Sequence, residues 1–184
     1  MEVRKLTVST SVLIGVALII FGVTLRLIPH IPNFAPIGAI ALFGGAILSR
    51  KIALWLPLVA MLISDIFLGF YQGIEFTWAA FMLVAVFGMT LSRKGFLTRI
   101  SLGVLGTGVI FFVVSNFGVW LTSGMYSHTW AGLVQCYYMG LPFFRMTFLS
   151  DMTYSVALFG IYEVVRYLVR RPSVVIYLPL PAFR

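Results

Sequence analysis

The 184-residue chain is 61% hydrophobic and 10% charged, where soluble domains run at roughly 45–50% apolar and 25% charged, and its mean hydropathy of +1.06 excludes an ordinary water-soluble domain. Its net charge of +8 does not point to nucleic acid, because the thirteen Lys and Arg residues fall in short clusters between apolar runs and form no basic face interleaved with aromatics. A single cysteine, Cys136, excludes an internal disulfide and a thiolate metal cage.

Hydropathy predicts six transmembrane spans, an all-α polytopic bundle forming one domain over residues 1–184, with no soluble domain or linker left over. The first, 7–27, follows Glu2, Arg4 and Lys5 and resembles a signal peptide, but it ends in Val-Thr-Leu-Arg with no small-residue cleavage site. It is therefore expected to be a retained anchor. Arg26 stands near its outer end. The connection 28–34 (IPHIPNF) carries His30 and Asn33. Span two, 35–49, is short and rich in small residues, among them Gly38 and Gly45. Span three, 53–70, contains Pro57 and, in the run LVAMLISDIFLGF, Asp65. After 71–75 (YQGIE) comes span four, 76–92.

Span five, 100–122, holds Asn116 and Trp120, one turn apart on one face. Its GVLGTG matches no dinucleotide loop, since no strand precedes it and an apolar helix surrounds it. Segment 123–141, with Tyr126, His128, Trp130, Cys136, Tyr137 and Tyr138, is expected to be an interfacial loop or short helix in the aromatic belt, with a metal role for His30, His128 or Cys136 the weaker reading. Span six, 142–168, carries Arg145, Asp151 and Tyr154.

With the N-terminus in the cytoplasm, all the Lys and Arg residues fall inside except Arg26 and Arg145. That asymmetry predicts an even number of crossings, N-in and C-in. Asp65, Asp151, Asn116, Arg26 and Arg145 then all lie in the outer half of the membrane, where a lone charge costs on the order of 2.5–3.5 kcal/mol on insertion scales. Two readings stand: Arg26 and Arg145 neutralise the two acids as structural ion pairs, or the polar groups line an outward-facing pocket. The glycines are expected to let helices approach closely, within the chain or against a partner.

The order RLIPHIPNFAPIGAIALFGGAIL, a basic turn, then PLVAMLISDIFLGF resembles the substrate-binding S components of energy-coupling factor vitamin transporters. Together with SNFGVWL, QCYYMGLPFF and SDMTYSVALF, it is similar to a related family of small uncharacterised bacterial membrane proteins. The resemblance implies a six-helix bundle in the bacterial cytoplasmic membrane that binds a vitamin-like micronutrient in an outward-facing pocket and couples to a transmembrane partner with ATPases. It implies pocket roles for Arg26, Asn33, Asp65, Asn116, Trp120, Arg145, Asp151 and Tyr154, and partner docking through Ser11, Gly15, Gly38 and Gly45. Ser11 and Gly15 stand where many S components carry an Ala-xxx-Ala docking motif. A small importer working alone is compatible with the same features. The alternative from another class is a non-transporting accessory subunit of a larger membrane complex whose polar groups are structural. A membrane enzyme comes third, since two acids without a nucleophile or metal cluster make a thin active site. No catalytic residue, metal or cofactor is expected.

Overall fold

The computed structural model describes residues 8–29 and 31–170. His30 and the flanking basic residues Arg4, Lys5, Arg171 and Arg184 lie outside the described residues. Within them the chain is all-helical: α1 (Val8–Leu27), α2 (Ile37–Ile47), α3 (Arg50–Leu68), α4 (Ile74–Thr90), α5 (Phe96–Thr122) and α6 (Trp130–Arg170). Four of these, α1, α3, α5 and α6, are long and apolar enough to cross a membrane. Their outward faces carry bare Leu, Val, Ile and Phe side chains, such as Leu13, Val16 and Ile20 on α1, a surface that suits lipid and would aggregate in water.

Successive helices alternate in direction. Near one end of the bundle the Ser11 hydroxyl accepts the Ser49 N–H at 3.3 Å, and Arg99 pairs with Glu163 at 3.2 Å. Toward the other end Arg26 meets Asp65, and Cys136 Sγ donates to the Asn116 carbonyl at 3.3 Å. Helices α1, α3 and α5 therefore run one way, and α2, α4 and α6 the other.

The centre is α2. All eleven of its residues are buried, and it packs against every other helix. At about 1.5 Å per residue it is only about 16 Å long, shorter than a hydrocarbon core of about 30 Å, which is tolerable because protein and not lipid surrounds it. Its small residues explain the closeness. A Cβ on Gly45 would strike the Ala85 carbonyl oxygen, and one on Gly88 would come within 2.5 Å of the Leu42 carbonyl, so α2 and α4 meet backbone to backbone.

Ser11 is fully buried and bonded to Ser49, Gly15 faces Ile52, Gly38 faces Asp151 and Gly45 faces Ala85. Within the described residues all four positions expected to dock a partner make contacts between helices of this chain.

Two boundaries also differ from the hydropathy reading. Helix α5 begins at Phe96, which draws Arg99 inside. Its guanidinium is 1% exposed, donates to the Leu91 and Ser92 carbonyls, binds Glu163 and lies 6.0 Å from the Phe159 ring centroid. Helix α6 absorbs 130–141, part of the segment expected as an interfacial loop or short helix, and runs through Pro142 for 41 residues in all. Proline removes one helical hydrogen bond, but this segment is anchored sideways on α5. Besides the Cys136 contact, the Tyr137 hydroxyl donates to the Val113 carbonyl at 2.8 Å, and Gly140 leaves room for the Asn116 side chain.

Candidate functional site

Away from the Arg99–Glu163 end, a cavity of about 490 Å³ is bordered by all six helices and by the α1–α2 connection. Its volume falls in the range of small-molecule sites. Exposed Asn33, Leu68, Tyr71 and Phe143 stand on its border, so it communicates with the surface. Buried Ile37, Gly38, Met61 and Asp151 line its inner part. Its walls are aromatic, supplied by Phe81 of α4, Phe111 and Phe112 of α5 and Phe143 and Phe144 of α6. The Phe81 and Phe111 rings stack at 4.9 Å, and Phe112 meets Phe144 edge-on at 5.2 Å.

The α1–α2 connection reaches the cavity because α6 holds it. Ser150 donates to the Ala35 carbonyl at 2.9 Å, and the Phe34 ring packs on Tyr154 at 5.6 Å. Asn33 takes φ of 61°, the left-handed region that asparagine enters more readily than most residues. That turn brings Asn33 and Ala35 to the border of the cavity.

Of the eight residues predicted for a pocket, Arg26, Asn33, Asn116 and Asp151 line this cavity and the other four do not. Asp65 is fully buried beside it. One carboxylate oxygen lies 2.5 Å from Arg26 Nη1 and the other accepts from Trp78 Nε1 at 2.8 Å. Arg26 also donates to the Ser64 hydroxyl. Trp120 donates to the Ser127 carbonyl and packs on Phe117 and His128, serving the α5–α6 connection. Arg145 is exposed and forms no ion pair among the described residues. Tyr154 lies between Phe21 and Phe34. The two expected ion pairs thus reduce to one, Arg26 with Asp65.

Asp151 is left without a cation. It is 2% exposed, and its Oδ2 has no hydrogen-bond partner among the described residues. A Cβ on Gly38 would land on its carboxylate, so glycine at that position of α2 is what gives the acid its space.

Sequence reasoning missed Thr77, Ser115 and Thr147 in the lining and Trp78 behind it. A serine or threonine in an apolar helix usually bonds its own backbone, and these carried no signal of direction. The phenylalanines were equally silent among seventeen in the chain.

A model for a family of unknown function (DUF6580) matches residues 6–174, and the chain belongs to that family. Comparison with curated proteins and with solved structures finds no match.

Proposed function

We propose that this member of DUF6580 is a solute-capture protein of the bacterial cytoplasmic membrane, a substrate-binding subunit or small importer for a vitamin-like micronutrient. It crosses the membrane six times with both ends in the cytoplasm, so that the cavity faces outward. The observation that carries the reading is the cavity itself, about 490 Å³ in volume, with aromatic walls, a few convergent polar groups and a buried acid at its inner end. A purely structural bundle has no need of an unpaired carboxyl beside such a space, since an unpaired buried charge costs several kcal/mol. The orientation is supported by the basic residues at the Ser49, Arg93 and Arg166 end, against Arg26 and Arg145 toward the other.

Mass spectrometry of small molecules released from the purified protein tests the capture role. A discrete solute should accompany the wild type and be lost from Thr147→Trp, which fills the cavity from α6. Equal solute content in the two proteins, or none in either, would overturn it. Cysteine-accessibility labelling in a Cys136→Ser background tests the orientation, and position 73 should react from outside and position 95 only from inside.

A further inference from the structure

The cavity holds an acid with no ion-pair partner among the described residues, and two of its hydroxyls face it as acceptors. Its one lining cation, Arg26, is already held by Asp65 and Ser64. The other arginine of the outer half, Arg145, is exposed on α6 and unpaired among the described residues. Asp151 is therefore the cavity's acid with no counter-charge among the described residues, and a bound cation favours its carboxylate form. Two of the lining hydroxyls are turned into acceptors, and the Asn116 amide has one of its two protons engaged. Ser115 donates to the Phe111 carbonyl, Thr147 to the Phe143 carbonyl, and the Asn116 amide nitrogen to the Phe112 carbonyl. A hydroxyl that has spent its only proton can offer the cavity only lone pairs.

We infer that the captured solute is a planar organic cation, with its positively charged nitrogen group against Asp151 and its ring among the phenylalanines of α4, α5 and α6. The inference rests on the capture role proposed above and names its substrate class. A solute N–H satisfies Asp151 Oδ2, a buried oxygen with no hydrogen-bond partner among the described residues, and a charge-assisted bond there is stronger than a neutral one. The faces of Phe81, Phe111, Phe112 and Phe144 add attraction for a cation through their ring quadrupoles. An anionic solute would meet Asp151 with no free cation to offset it. A bare metal ion fits poorly, because among the described residues no three His, Cys, Asp or Glu side chains converge.

Three probes of one shape and different charge decide the matter. Benzamidinium, benzamide and benzoate are each titrated calorimetrically into the full chain in detergent. Benzamidinium should bind at least ten-fold more tightly than benzamide, and benzoate should be the weakest. In Asp151→Asn the preference for benzamidinium over benzamide should collapse to within about two-fold. Benzamide or benzoate binding the wild type as tightly as benzamidinium would overturn the cationic class while leaving capture intact, and that comparison needs no variant. Undiminished preference in Asp151→Asn would likewise sink it. Binding of none of the three overturns the inference, and the solute measurement on Thr147→Trp then shows separately whether capture falls too.

Discussion

Asp65 and Asp151 occupy comparable places, each in a long apolar helix, each about fully buried and each beside the same cavity. Their surroundings differ completely. Helix α1 delivers Arg26 to Asp65, and α4 adds the indole of Trp78, so both carboxylate oxygens face donors. Helix α2 delivers only Gly38 to Asp151, and the nearest arginine along α6 is exposed. The difference teaches that depth and residue type do not assign a buried acid its role. The partner supplied by the neighbouring helix does. Around Asp65 the chain has completed an ion pair, and around Asp151 the described residues supply none.

The largest effect should come from breaking the completed pair. Asp65→Asn keeps an acceptor for Trp78 but strands Arg26, and should destabilise the detergent-solubilised protein by about 3 kcal/mol, the low end for a broken buried pair because Arg26 retains some exposure. Adding Arg26→Met should recover most of the loss in a thermal-unfolding measurement, since an apolar replacement of both partners is often neutral. A variant Asp65→Asn that melts like the wild type would erase the contrast between the two acids.

Asp151→Asn should do the opposite in the absence of solute. An amide is less costly to bury than a carboxylate left without a partner, so stability should hold or rise by about 1–2 kcal/mol. A drop as large as that of Asp65→Asn would reveal a structural partner for Asp151 and remove the contrast. The smallest effect belongs to Arg145→Gln. Exposed and without an ion pair among the described residues, it should change stability by less than about 0.5 kcal/mol; a larger fall would mean that Arg145 reaches Asp151 after all.

Composition and hydropathic patterning alone determine that this chain is helical with long apolar segments suited to a membrane, and roughly where its helices lie, because those properties sum over many residues and survive errors at any one. The five polar or charged positions that looked out of place in apolar spans, Arg26, Asp65, Asn116, Arg145 and Asp151, were legible for the same reason, since each is expensive in a membrane wherever its neighbours stand. Their pairing was not legible. Arg26 and Arg145 are equivalent in sequence, each a few residues from the outer end of an apolar run, and only the packing of α1 beside α3 gives one of them an acid. Gly38 and Gly45 likewise read as candidates for an outer face. Their burial follows from the central place of α2, which an eleven-residue helix acquires only by contact with all five others. Segment 130–141, readable as loop or short helix, is fastened to α5 by bonds to residues twenty or more positions away, which no local pattern encodes. Local chemistry decides what a residue costs in the bilayer, and the tertiary structure decides which neighbour, if any, offsets that cost, because an ion pair or a glycine contact depends on positions a few ångströms apart in space and tens of residues apart along the chain.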